Sequence, residues 1–289
     1  MTGIGVARIL SLLDARRPFC LVTVVASKVV GALHVGGKIA VFPDGTCEGR
    51  VGPDRLTRSI LDVSRRFLGA EEPGQVRLSV DGAELANRSR MREREVAPDT
   101  VELLFEPCLP PPQLVIVGAG HIAVPLCALG AVLEYEVTVI DDRARFATRE
   151  RFPAAHALLV DDFAKAIDSL EITPWTYFVL VTRGHEHDEA TLQRVAGSSA
   201  RYIGMIGSKR RVLVVFERLK RAGVEARLLS KVYAPIGLDL GGRAPTEIAL
   251  AIMAEIVKVR RHGGAKSLAR FIDGEVGLAT SGVDLAGEA

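Results

Sequence analysis

Neither sign of charge dominates this chain of 289 residues: 37 lysines and arginines stand against 35 aspartates and glutamates. A balance that close leaves no broad field of one sign, so nucleic acid and anionic membrane surfaces are not expected partners, and any anion specificity has to be local. Aromatic residues reach only 5%, yet 48% hydrophobic and 25% charged residues place the chain among globular proteins, outside the disordered and fibrous classes. Cysteine is sparse. Cys20, Cys47, Cys108 and Cys127 lie far apart with no C-x-x-C pair, which suits neither a disulfide framework nor a structural zinc site, and they read as reduced thiols with packing roles. Long apolar runs are also missing: the stretch from Phe19 to Ala26 is too short to span a bilayer. Asp14, Arg16 and Arg17 interrupt the apolar segment that a secretory signal needs, so cytoplasmic residence without a membrane span is the expectation. No internal repeat or low-complexity stretch is visible.

What is present divides the chain. Between Glu106 and Pro112 four prolines fall within six residues, a spacing that rules out helix or central strand and favours a stiff extended connector. The expected units are an α+β N-terminal domain over 1–106, a proline-rich linker over 107–113, an α/β domain over 114–262 and a tail over 263–289. In the first unit, Phe19 to Ala26 and Lys38 to Phe42 are β-branched runs ended by turn signals, the second by Pro43-Asp44-Gly45, and both read as strands. Leu56, Ile60, Val63 and Phe67 recur at three- and four-residue steps, which predicts one buried face of a helix between Pro53 and Leu68. Val76 to Val80 and Val101 to Phe105 complete a small sheet with that helix packed on it. The arginine-rich patch from Arg88 to Arg94 is diluted by Glu93 and Glu95 and reads as a solvated loop.

After the prolines the pattern becomes alternating. Leu114 to Val117, Val137 to Ile140, Ala157 to Val160, Phe178 to Thr182 and Tyr202 to Ile206 are short, nearly continuous apolar runs of the kind found in strands covered on both faces. Helical stretches are expected between them, and that alternation implies parallel strands in a doubly wound, Rossmann-type sheet. The sharpest local signal is Val115-Ile116-Val117-Gly118-Ala119-Gly120-His121-Ile122-Ala123, a strand running into G-x-G-x-x-A at a helix start. In that pattern Gly118 permits the tight turn, Gly120 lets a pyrophosphate approach the backbone, and Ala123 allows helix and strand to pack closely. Free N–H groups and the helix dipole then favour an anion. Asp141 ends the second strand, where a carboxylate accepts ribose hydroxyls and repels a 2′-phosphate, so NAD or FAD is expected over NADP if the ligand is a dinucleotide.

Three further polar segments follow apolar strands: Arg183-Gly184-His185-Glu186-His187-Asp188, Gly207-Ser208-Lys209-Arg210-Arg211, and the irregular Gly237-Leu238-Asp239-Leu240-Gly241-Gly242 before a helix starting near Pro245. In an open parallel sheet the carboxyl ends of the strands share one edge, so these segments are expected to converge on Gly118 to His121. There Arg183 and Lys209 supply positive charge, the N–H groups at Ser208 cap a phosphate, and His121, His185 and His187 are candidates for carrying protons near neutral pH. The histidine pair lacks a third ligand, so no metal site is assigned. Thr246 and Glu247 read as helix-terminus stabilisers.

At these residues the chain resembles the XdhC/CoxI family, accessory proteins of molybdenum hydroxylases of the xanthine dehydrogenase and carbon monoxide dehydrogenase type. The resemblance rests on Gly118-Ala119-Gly120-His121, Thr182 to Asp188, Tyr202 to Arg210, and Pro235 to Gly241 in that order. It implies a protein that binds molybdenum cofactor (molybdopterin) transiently, holds it for sulfuration with a cysteine desulfurase, and helps deliver it to a hydroxylase client, often as a dimer. The candidate cofactor site is drawn from Gly118, Gly120, His121, Asp141, Arg183, His185, Ser208, Lys209 and Asp239. The N-terminal module is similar in layout, including the Thr23-Val24-Val25 strand and the Asp44-Gly45 turn, but departs from the family pattern. Lys28-Val29-Val30-Gly31-Ala32-Leu33 stands where a Ser-x-Pro-Arg-type segment is usual, and Gly52-Pro53-Asp54-Arg55-Leu56-Thr57 puts Arg55 at the place of a cysteine. A thiolate ligates molybdenum or carries sulfur and a guanidinium does neither, so a cysteine-dependent role does not transfer, and Cys47 is a weak substitute.

The sequence offers no convincing catalytic nucleophile, which favours a binding and delivery protein. The alternatives are an NAD-dependent oxidoreductase with His121 or His185 transferring a proton, and a Rossmann scaffold that only holds a partner.

Overall fold

The computed structural model describes residues 3–28, 34–49, 52–85, 99–183 and 185–267, with the side chains of His185 and Glu186 excepted. The arginine patch at 88–94, the 29–33 segment and the tail beyond 267 therefore lie outside the described residues.

Two sheets carry the chain. The first has the order β3-β2-β1-β6-β4-β5, built from β1 (Phe19–Ser27), β2 (Lys38–Val41), β3 (Cys47–Glu48), β4 (Gly74–Ser79), β5 (Glu84–Leu85) and β6 (Thr100–Cys108). Its central ladder, β1 against β6, is antiparallel, with Val22 opposite Phe105 and Val24 opposite Leu103. Cys20, Val22 and Val24 point to one face, where Leu56, Ile60 and Val63 of helix α2 (Asp54–Ala70) cover them. That is the face the three- and four-residue spacing predicts. The other face is closed at one end by α1 (Val6–Asp14), whose Leu12 packs on Phe19 and Phe42; the sequence reading assigns no element before Phe19.

The proline segment does not exclude strand as fully as expected. β6 runs on through Pro107 to Cys108 and sits inside the sheet. Proline is tolerated because pairing with β4 ends at Phe105, so Pro107 lies on a stretch flanked by β1 alone. The second sheet starts at Gln113.

That sheet has the order β11-β10-β7-β8-β9 and every pairing in it is parallel. Its strands are β7 (Gln113–Val117), β8 (Glu136–Ile140), β9 (Ala157–Leu159), β10 (Thr176–Leu180) and β11 (Tyr202–Met205). Side chains alternate between two apolar layers. Leu114 and Ile116 of β7 meet α3 (Ala123–Val132) and α8 (Pro245–Arg260) on one side. Val115 and Val117 meet α4 (Phe163–Asp168), α5 (His185–Val195) and α6 (Lys209–Arg221) on the other. Coverage of both faces explains why these strands read as unbroken apolar runs instead of alternating ones. The short α7 (Ala226–Leu229) follows α6, after which Tyr233 pairs in parallel with Gly204 of β11. This is the doubly wound α/β fold expected from the sequence, with one correction. The β8-to-β9 crossover, residues 141–156, contains no helix. It is tied down by Arg151, whose guanidinium donates to the carbonyls of Ala119 at 2.9 Å and Phe146 at 2.6 Å, and by Phe152 buried against the α3 side.

The units meet around one carboxylate. Glu71, in the left-handed conformation that ends α2, accepts from Arg201 at 2.8 Å and from Arg260 at 2.7 Å, with 2% of its side chain exposed. Arg16 adds a bridge to Glu136 at 2.7 Å. Arg201 and Glu136 lie at the amino ends of β11 and β8, so the first unit docks on the amino edge of the parallel sheet and leaves the carboxyl edge clear. Among the described residues no helix is long and apolar enough to cross a membrane.

Candidate functional site

Because strand order reverses around β7, the crossovers leaving β7 and β10 diverge to opposite faces, and a crevice opens at their carboxyl ends. It is a small cleft of about 100 Å³ that opens to solvent. Its walls come from the turn after β7 (Gly118 and Gly120), the turn after β8 (Asp141, Asp142 and Arg143), the turn after β10 (Thr182 and Arg183) and the start of α5 (His187), with Phe163 at one side.

The two glycines do different work. Gly118 has φ +104°, a value that side-chain-bearing residues rarely adopt, and a Cβ there would sit 2.8 Å from the Val181 carbonyl oxygen. It is needed so that the β7 and β10 turns can touch. Gly120 has no heavy atom within 4 Å of its would-be Cβ; its Cα faces open space, as a backbone built for close approach of a ligand requires. Ala123, third in the pattern, is fully buried at the start of α3. The first turn of α3 presents N–H groups that have no partner within the helix.

Asp141 does not take the expected part. Its carboxylate is 0% exposed and fully subscribed: Oδ2 accepts from the Ala119 N–H at 2.7 Å and from Arg143 Nη2 at 2.9 Å, and Oδ1 from the Arg143 N–H at 3.0 Å and Nε at 2.8 Å. Burial pushes this carboxyl up, but the bonds from the Arg143 guanidinium and the two N–H groups outweigh it and hold it below the usual carboxylate value. Asp141 thus positions the glycine turn and is not free to receive ribose hydroxyls. A second buried acid, Asp188, accepts from the Thr182 hydroxyl and from the Arg211 guanidinium, fastening the turn after β10 to α5 and α6.

Of the other expected site residues, Arg183 stands on the cleft wall. His185 begins α5, and its side chain is outside what is described. His187, grouped with it in sequence, lines the cleft with its ring 4.9 Å from that of Phe163. Ser208 is the N-cap of α6, its hydroxyl accepting from the Arg211 N–H at 3.2 Å. Lys209 is exposed one residue later, and Asp239 and His121 are exposed as well. None of these four lines the cleft. Ser208 and Lys209 follow β11, which β10 separates from β7, so their turn lies outside the crevice, whereas His121 belongs to the turn after β7 and is exposed there. Glu247 does the structural work expected of it, accepting from the N–H groups of Arg243 and Ala244 ahead of α8.

Sequence reasoning missed Asp142, Arg143 and the ring of Phe146, around which the guanidiniums of Arg143, Arg145, Arg151 and Arg183 gather at 4.1 to 5.7 Å. The density of arginine after Asp141, at 143, 145, 149 and 151, was the available signal. Cys127 is on the buried side of α3, Cys47 lies on the distant β3, and Arg55, exposed on α2, faces Asp81 at 4.0 Å. Among the described residues no thiol therefore lines this cleft.

Comparison with known proteins agrees with this fold. Residues 114–256 match the family described as the XdhC Rossmann domain, and residues 12–79 match the XdhC and CoxI family. The Escherichia coli protein YqeB, itself uncharacterised, is 25% identical over 248 residues, covering 85% of this chain and 44% of that protein. A probable xanthine dehydrogenase subunit from Bacillus subtilis is 30% identical over 163 residues, 56% of this chain and 47% of that protein. The chain thus spans less than half the length of each of these relatives. A crystal structure of a xanthine dehydrogenase from Bacillus halodurans aligns over 92% of this chain and 98% of its own, at 18% identity and a TM-score of 0.48. With its parallel sheet, its glycine turn and both family matches in their expected order, the chain belongs to the XdhC/CoxI family.

Proposed function

We propose that this protein is an accessory factor in the maturation of a molybdenum hydroxylase, of the xanthine dehydrogenase or carbon monoxide dehydrogenase type, and that its Rossmann unit holds a phosphorylated cofactor during that work. Membership of the family and likeness to a probable xanthine dehydrogenase subunit support the client class. The observation that carries the ligand class is the cleft itself: Gly120 opens onto empty space beside Arg183 and Arg143 at the switch point of the sheet. Backbone amides at a helix start and a guanidinium fork suit a phosphate ester.

The molybdenum cofactor is one candidate. Its phosphate end fits this cleft, where Gly120 and Arg183 would hold it; its metal end finds no thiol among the described residues there, so this chain's part is binding and orienting rather than ligating metal. A cysteine desulfurase and a second copy of the chain are partners in keeping with the family. Phosphorylated nucleotides are the other ligand class that the same chemistry admits.

Released molybdopterin mixed with the purified chain should oxidise more slowly than in buffer. Arg183→Ala should weaken that protection by about 1.5–3 kcal/mol, the loss of a charged hydrogen bond. Lys209→Ala, off the cleft wall, should leave it unchanged. Absence of protection, or equal sensitivity to both substitutions, would defeat the ligand assignment.

A further inference from the structure

In dinucleotide sites of this topology, a free carboxylate after the second strand accepts ribose hydroxyls, whereas an arginine nearby accommodates a 2′-phosphate. From sequence, Asp141 pointed to the first case. The geometry reverses that. A carboxylate has about four lone-pair positions, and Ala119 and Arg143 between them fill four.

What a ligand meets at this end is guanidinium. Arg143 and Arg183 stand on the cleft wall, and Arg145 joins them at the Phe146 ring, their central carbons 4.1, 5.7 and 5.1 Å from its centre. Arg143 is engaged by Asp141 and is 3.5 Å from Asp142. Among the described residues neither Arg145 nor Arg183 has an ion-pair partner. They arrive from separate crossovers, after β8 and after β10, so the fold itself brings to one aromatic ring two cations that have no counter-charge among the described residues. Among the described residues two carboxylates, Asp141 and Asp142, stand against the four guanidiniums gathered at that ring, Arg151 included, an excess of two positive charges. Planar guanidinium forks match the oxygens of a phosphomonoester.

We infer that the cleft selects dinucleotides of the NADP type over those of the NAD type, the pyrophosphate lying over Gly120 and the ribose phosphate meeting Arg145 and Arg183. This rests on the cleft being a site for phosphorylated ligands and narrows it to a ligand with two separated phosphate groups.

The test is calorimetric titration of the full chain with NADP⁺, NAD⁺, adenosine 2′,5′-bisphosphate and ADP at low and high salt. NADP⁺ should bind at least about tenfold tighter than NAD⁺, with the advantage shrinking as salt rises. Arg145→Ala, at an exposed position, should reduce NADP⁺ binding about tenfold and leave NAD⁺ binding as it was. Arg143→Ala, if it folds by circular dichroism, should release Asp141 and shift the preference towards NAD⁺. Equal or tighter binding of NAD⁺, or a loss that Arg145→Ala imposes on both dinucleotides alike, overturns the inference. If neither dinucleotide binds while molybdopterin is still protected in an Arg183-dependent way, the inference falls and the reading of the cleft stands. If no phosphorylated ligand binds, both fall.

Discussion

Replacing Gly118 and Gly120 in turn by alanine separates the scaffold of the glycine turn from its ligand-facing surface. At Gly118 the methyl group meets the Val181 carbonyl at 2.8 Å and the Thr182 Cα at 3.1 Å, both backbone atoms. They cannot retreat cheaply, because the Val181 N–H is bonded to the Val117 carbonyl at 2.9 Å across the β7–β10 ladder. Alanine must also hold φ near +104°, a strain of about 1–3 kcal/mol before the clash is counted. With the overlap added, the expected destabilisation is about 2–4 kcal/mol. At Gly120 no atom is near and φ is not in the left-handed region, so stability should stay within about 0.5 kcal/mol of the parent. Urea titration can read both variants through Trp175, the chain's single tryptophan, buried just before β10. Gly118→Ala should lower the melting temperature by about 4–12 °C, and Gly120→Ala should melt with the parent yet lose affinity for a phosphorylated ligand. A Gly120→Ala protein as unstable as Gly118→Ala, or a neutral Gly118→Ala, would refute this division of labour between the two glycines.

Glu71→Gln should cost about 3–5 kcal/mol by leaving Arg201 and Arg260 without their buried counter-charge, and should split a single denaturation transition into two as the units uncouple. Asp141→Asn tests the pH linkage. A carboxyl held below its usual value in the folded state contributes stability that is present above the unfolded value, about 3.9, and is lost as pH falls through the folded one. The stability gap between parent and Asp141→Asn should therefore be full at neutral pH and close in strong acid; a gap that widens on acidification would contradict the bonding described. Burial pushes the Cys20 thiol up to about 12 and the Cys127 thiol up to about 11. Neither should react with iodoacetamide at pH 8 in the folded chain, and mass spectrometry should find both modified once urea is added.

Much of the fold was legible because its signals are local. Leu56, Ile60 and Val63 mark one helix face at fixed spacing, and the apolar run from Leu114 to Val117 marks a strand covered twice, whatever lies around it. Pro107 shows where local reasoning overreached: whether a missing N–H matters depends on the neighbouring strand, and β4 stops at Phe105. The cleft lining was legible at Gly118, Gly120 and Arg183, which adjoin the two strands flanking the switch point. Ser208, Lys209 and Asp239 do not line the cleft because a shared edge is not a shared crevice, and sequence does not say that β10 stands between β11 and β7.

The order of residues by itself determined most of the strands, the glycine turn and the parallel sheet, since each follows from periodicity or from what glycine alone permits over a few positions. The tertiary structure decided the charge state of the cleft. Only when the turns after β8 and β10 come together does Arg143 occupy Asp141 while Arg145 and Arg183 meet at Phe146. Electrostatic balance depends on distances between residues that are remote along the chain, and those distances exist only in the folded state.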